Sequence, residues 1–123
     1  MNFFYKVLFI IAIIAITTLA FVPNYNALPD FVSFSDLLNH AVAFCVLFIL
    51  MQVAYSEHSH KERIILLLIY AIFIEAVQYF LPHRFASVSD IIADSVGLSI
   101  GYLLRGVTKK GELLIYCLTS CKK

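Results

Sequence analysis

Seven side chains in this chain combine types and spacings suited to chemistry: Asp36, His40, Glu75, Gln78, Arg84, Asp90 and Asp94. Carboxylates with an imidazole can pass protons, an arginine can hold a phosphate, and the whole set can grip a polar headgroup. What makes the set unusual is its surroundings, since each member lies inside or beside a run of apolar residues. A charge in hydrocarbon costs at least about 2.5–3.5 kcal/mol, so such groups face a partner or a water-filled cavity. There is no Ser/His/Asp or Cys/His arrangement for a covalent nucleophile, and no Gly-rich phosphate loop, CxxC pair or HExxH. Carboxylates without strict spacing are weak evidence for a metal, so neither a metal nor a cofactor is expected.

Composition sets the class of protein that must position these groups. Hydrophobic residues make up 62% of the 123 residues, charged residues 14%, and the mean hydropathy is +0.91. A soluble domain is nearer half apolar and a quarter charged, so this is an integral membrane protein with one domain over residues 1–123. No basic patch interleaved with aromatics suggests nucleic acid; the bilayer itself is the partner that composition demands.

Four apolar runs read as transmembrane helices, at about 3–22, 37–55, 64–81 and 87–104. About 20 residues at 1.5 Å each cross a hydrocarbon core of roughly 30 Å. The fourth run is the least apolar, because Asp90 and Asp94 fall in its first turns. Pro23, Asn24, Asn26 and Pro29 mark the first loop, Ser56 to Arg63 the second, and Pro82 with His83 the break after the third run. Residues 105–123 read as a tail, with a short surface-lying segment or an unstructured stretch at 111–118. The first run, with Lys6 before its apolar stretch, has the outline of a secretory signal peptide. It continues through Phe21 and Val22 without an A-x-A site, however, and is read as an uncleaved span.

Cationic residues orient the bundle. Eight of the nine Lys and Arg residues fall on one side if there are four spans, and only Arg84 lies on the other. Positive charge stays in the cytoplasm, so both termini are expected there. The fold class is therefore all-α, a polytopic bundle of four transmembrane helices. In this topology Glu75, twelve residues from Arg63, lies roughly 18 Å in, past the midplane towards the outer face. Asp36 and His40 open the second span from that side, Arg84 sits in the outer loop, and Asp90 and Asp94 open the fourth span. The whole polar set converges on the outer half of the membrane.

Helical spacing adds faces to depths. Asp36 and His40 are i,i+4, and Glu75 and Gln78 are i,i+3, so each pair shares a face. Asp90, Asp94, Gly97 and Gly101 step by four, three and four, forming one stripe whose lower part is Gly97-x-x-x-Gly101. That pattern lets two helix backbones approach closely, so the stripe is the packed face and the aspartates point inward. Two carboxylates one turn apart repel unless a cation or a proton intervenes; Arg84 and a protonated His40 are the available cations, and a metal ion is a further possibility.

In order, Asp36-x-x-x-His40, Glu75-x-x-Gln78, Arg84, Asp90 and Gly97-x-x-x-Gly101 resemble the VanZ-like family, small bacterial membrane proteins named after an accessory protein of glycopeptide-antibiotic resistance. The resemblance covers about residues 34–104. It implies a multi-pass protein of the bacterial plasma membrane and a place in the cell envelope, and it implies no reaction. Members of that family commonly carry Asn where this chain has Asp94, and Lys where it has Leu37. Both differences make the site more negative here.

Each residue also has a purely structural reading. Asp36 suits a helix N-terminus, Ser87-x-x-Asp90 has the form of a capping box, and a membrane histidine such as His40 is commonly an interhelical hydrogen bonder. Glu75 resists this treatment, because no capping role exists in mid-span. His58 and His60 read as loop residues, Cys45 as core, Cys117 and Cys121 as reduced cytoplasmic thiols. Phe31, Phe34, Tyr79, Phe80 and Phe85 read as interfacial anchors.

Three functions remain open. The leading one is recognition of an envelope lipid, a lipid-linked precursor or a membrane-active antibiotic. The second is catalysis on a lipid or phosphate-containing headgroup, with Glu75 or His40 as acid/base and Arg84 on the phosphate. The third is a scaffold whose polar network only holds the helices together. The topology is tested by cysteines placed at Ala27 and Ser59: an impermeant reagent on intact cells should label the first and not the second. Equal labelling of both would contradict four spans.

Overall fold

The computed structural model describes residues 2–22, 36–82 and 87–121. Four helices account for nearly all of them: α1 Asn2–Ala20, α2 Asp36–Ala54, α3 His60–Phe80 and α4 Val88–Ser120. All four are long and apolar enough to cross a membrane, and the last is the least apolar. No strand occurs among the described residues, so the all-α class expected from the apolar runs is the class observed.

Cross-helix contacts define the direction of every helix. Phe9 meets Tyr55, placing the start of α1 beside the end of α2. Phe48 stacks with His60, so α2 and α3 are antiparallel, and the Ser87 N–H bonds Glu75, so α3 and α4 are antiparallel too. The result is an up-down-up-down bundle in which α2 and α4 run parallel and form the most extensive pair. The core holds Phe44, Leu47, Phe48 and Met51 of α2, Leu67 and Ala71 of α3 and Leu98 of α4, with Phe9, Ala12, Ile13 and Ile16 of α1 packed against it. The outward faces are as apolar as the core: Ile10, Ile14, Leu38, Ile69, Ile72 and Leu103 are all exposed. Lipid rather than water suits such a surface.

The boundaries shift from the sequence expectation where local hydrogen bonding decides them. Helix α3 begins four residues before Ile64 because Ser59 caps it. The Ser59 hydroxyl accepts from the Glu62 N–H at 3.2 Å, and the Glu62 carboxylate accepts from the Ser59 N–H at 3.1 Å. Arg63 then turns back and donates to the carbonyls of Tyr55 (3.0 Å) and Ser56 (3.2 Å), closing the end of α2 while only 3% exposed. Helix α4 does not stop near Leu104. It runs unbroken to Ser120, so residues 111–118 are neither surface-lying after a break nor unstructured. Its 33 residues span about 50 Å, well beyond a hydrocarbon core of about 30 Å. The chain turns more polar from Arg105 to Lys110, but with no proline among these residues the helix continues.

Gly97 and Gly101 are the seam of the bundle. A Cβ on Gly97 would overlap the Ala41 carbonyl oxygen and lie 2.9 Å from its carbonyl carbon. One on Gly101 would meet the Phe48 Cβ at 3.0 Å and the Cys45 carbonyl oxygen at 3.1 Å. Gly106, by contrast, has nothing within 4 Å of that position. Replacing Gly97 or Gly101 by Leu should therefore lower stability by about 1–3 kcal/mol. The larger loss is expected at Gly97, where the obstacle is backbone. Gly106→Ala should be neutral or stabilise by up to about 1 kcal/mol through helix propensity. Thermal unfolding in detergent checks both, and equal midpoints for all three variants would show that the stripe is not a close contact.

Candidate functional site

The parallel register of α2 and α4, held at Ala41–Gly97, brings His40 to Asp94. The His40 Nδ1 and Asp94 Oδ1 lie 2.8 Å apart, with the His40 side chain 10% exposed and that of Asp94 fully buried. Asp90, one turn earlier on the same stripe, is also buried. Glu75 enters from α3, 6% exposed, and one of its oxygens accepts the backbone N–H of Ser87 at 3.3 Å. Three helices thus deliver an imidazole and three carboxyl groups to one end of the bundle, opposite the end where α1 starts and α4 finishes. Ligand atoms from His40, Glu75 and Asp94 lie within 4.8 Å of one another.

Satisfaction of these groups is incomplete among the described residues. Glu75 Oε1 and Asp94 Oδ2 are buried and accept no hydrogen bond there. Leaving a buried polar atom unpartnered costs about 1–3 kcal/mol, and more if it is charged. An apolar helix bundle of this size could discard that cost by substitution. The two unbonded oxygens make these buried carboxyl groups candidates for a site.

The sequence-derived set divides on inspection. His40, Glu75, Asp90 and Asp94 gather at this site. Gln78 is buried beside them but turns to α1, where its amide donates to the Ala20 carbonyl at 2.9 Å. The i,i+3 spacing with Glu75 is real; the carbonyl left open at the end of α1 takes the amide. Asp36 is the first residue of α2, with its side chain outside the described residues, and Arg84 lies outside them altogether, as do Phe31, Phe34 and Phe85. Tyr79 and Phe80 are exposed at the end of α3, as interfacial anchors would be. Ser87 is the N-cap of α4, yet its hydroxyl makes no capping bond, so the capping box read from Ser87-x-x-Asp90 is not formed. The backbone N–H that Asp90 would take in such a box is bonded instead by Glu75 from another helix.

Other polar groups escaped sequence reasoning. Tyr70, mid-way along α3, shares a 2.6 Å hydrogen bond with the Thr17 hydroxyl and ties α1 to the bundle. Gln52 reaches the Arg105 carbonyl at 3.4 Å at the far end of the α2–α4 seam. The signal for Tyr70 was its hydroxyl deep in an apolar run. His60, taken for a loop residue, is the first residue of α3 and packs between Phe48 and Tyr102. His58 stays exposed, 3.0 Å from Glu62.

A family model described as VanZ/LLP1 matches residues 3–108, which takes in nearly all of α1, the whole of α2 and α3, and α4 as far as residue 108. The chain belongs to the VanZ/LLP1 family. No curated protein and no solved structure matches it. For this VanZ-like protein the family match extends past the resemblance at 34–104 to include α1, which fits the packing of α1 on the core and its hydrogen bonds to Tyr70 and Gln78. Within the VanZ-like bundle an apolar groove of about 410 Å³ lies between α3 and α4. It is lined by Ile64, Leu68, Ser95, Leu98, Tyr102 and Leu103, and Ser95 is the residue after Asp94.

Proposed function

We propose that this VanZ-like protein uses the His40–Glu75–Asp90–Asp94 cluster to recognise a polar headgroup at the outer half of the bacterial plasma membrane. The headgroup belongs to an envelope lipid, a lipid-linked precursor or a membrane-active antibiotic. The observation that carries the reading is Glu75: a mid-helix carboxyl group, 6% exposed, with one oxygen on the Ser87 N–H and the other without a partner among the described residues. An unmet acceptor at the meeting point of three helices is suited to a donor or cation on a ligand. The groove between α3 and α4 supports a ligand with an acyl or isoprenoid chain, since it is apolar and Ser95, the residue after Asp94, is among its lining. The charge distribution, eight cations to one, supports placing the cluster on the outer side.

A second reading, acid/base catalysis on a phosphate-containing headgroup, is favoured by the same free carboxylate oxygen facing an imidazole. It assigns Glu75 or His40 to proton transfer and Arg84 to the phosphate. In a scaffold, by contrast, the cluster would matter only to folding. Replacing Glu75 by Gln distinguishes these roles. The amide keeps an oxygen for the Ser87 N–H and removes the charge and the proton. The variant should reach the membrane at parental abundance and melt near the parental midpoint, while losing the parent's altered response to an envelope-directed antibiotic. A folded, abundant and fully active Glu75→Gln protein would contradict the assignment, and failure to accumulate would favour the scaffold.

A further inference from the structure

Three features make the cluster more specific than a polar patch. His40, Glu75 and Asp94 come from three different helices, and one potential ligand atom from each lies within 4.8 Å of the others. Both carboxyl groups are more than nine-tenths buried, and each carries one oxygen that no described residue bonds. Finally, neither Glu75 nor Asp94 has a Lys or Arg of the described residues within ion-pairing distance, while His40 Nδ1 lies 2.8 Å from Asp94 Oδ1. Two carboxyl groups and an imidazole, each from a different helix, make a donor set that a divalent cation could take.

We propose that His40, Glu75 and Asp94 form a binding site for a divalent first-row transition-metal ion. A tetrahedral ion with bonds of about 2.0–2.2 Å holds its ligand atoms about 3.3–3.6 Å apart, so the three atoms need to move by only about an ångström. The donor set chooses the class of ion. An imidazole with two carboxylates suits Zn²⁺, Fe²⁺ or Mn²⁺, whereas Ca²⁺ and Mg²⁺ take oxygen ligands almost throughout. Three protein ligands leave a fourth position open to water or to an anionic ligand oxygen. The Ser87 N–H on Glu75 Oε2 orients that carboxylate and leaves Oε1 for the ion, as hydrogen bonds to metal-ligating groups do. The rigid α2–α4 contact at Gly97 fixes the separation of His40 and Asp94 in the same way. The site goes beyond headgroup recognition and does not depend on it.

The test uses the full-length protein in detergent, stripped with a chelator and titrated with Co²⁺, whose visible bands report tetrahedral or five-coordinate binding. His58, Cys117 and Cys121 are exposed and offer adventitious ligands, so the titration is run with His58→Ala, Cys117→Ser and Cys121→Ser in place. In that background the bands should saturate at one equivalent, and Zn²⁺ should displace Co²⁺ and raise the thermal midpoint. Glu75→Gln, which keeps the Ser87 contact, and His40→Ala should each weaken Co²⁺ binding at least tenfold. Circular dichroism establishes that the variants are folded. Absence of one-equivalent binding in the background protein overturns the proposal, whatever the variants do. So does an unchanged affinity in a folded Glu75→Gln or His40→Ala protein. Because the readout is metal binding and not antibiotic response, loss of one reading leaves the other standing.

Discussion

The structure depends on a backbone contact. Helices α2 and α4 approach so closely at Ala41–Gly97 that a single methyl group on Gly97 would strike the Ala41 carbonyl. In a membrane there is no hydrophobic force to press helices together, because lipid tails are as apolar as the side chains; close packing of small residues takes its place. The contact does more than hold two helices. It sets the parallel register that puts His40 beside Asp94 at one end and Gln52 beside the Arg105 carbonyl at the other. Around this pair the remaining helices are fastened by single polar links: Tyr70 to Thr17, Gln78 to the end of α1, Glu75 to the start of α4.

These links give the bundle an inverted economy. Its outer surface is apolar, and the buried polar groups of the described residues sit at its two ends: Glu75, Gln78, Asp90 and Asp94 at one, Gln52 and Arg63 at the other. Most of the polar side chains used as links are neutral and have a carbonyl or hydroxyl to bond. The carboxyl groups of Glu75 and Asp94 are different, each retaining an unbonded oxygen among the described residues. Removing a buried acid from a helix bundle generally costs little when an apolar residue of like size replaces it together with its partner. The two proposals, recognition of a headgroup and binding of a cation, both rest on these unbonded oxygens.

Much of this was legible in the sequence, for identifiable reasons. The four spans follow from length and hydropathy, and the stripe Asp90–Asp94–Gly97–Gly101 follows from steps of four, three and four, a period that a helix imposes on any face. The common depth of His40, Glu75 and Asp94 needs only the rise per residue. What was illegible depended on backbone or on distance along the chain. The Ser87 N–H has no sequence signature as a donor, so its bond to Glu75 was invisible and the local capping box appeared sufficient. Spacing rules reach one or two turns, whereas His40 and Asp94 are 54 residues apart. Sequence alone could not choose between His40 and Arg84 as the partner of Asp94. The continuation of α4 to Ser120 was illegible because a change to polar residues after Leu104 limits a span without ending a helix.

The central claim is that the glycine contact positions the polar site. The most direct measurement is ¹⁵N NMR of His40 in full-length, metal-free protein, its signal assigned by comparison with a His40→Gln sample. The account predicts an Nδ1 resonance characteristic of a strong hydrogen bond to a carboxylate in the parent. In a folded Gly97→Ala protein, where the added methyl forces α2 away from α4, that resonance should move towards the position of a free imidazole. A His40 resonance unchanged by Gly97→Ala would contradict the account, since the site would then be assembled without the contact said to assemble it.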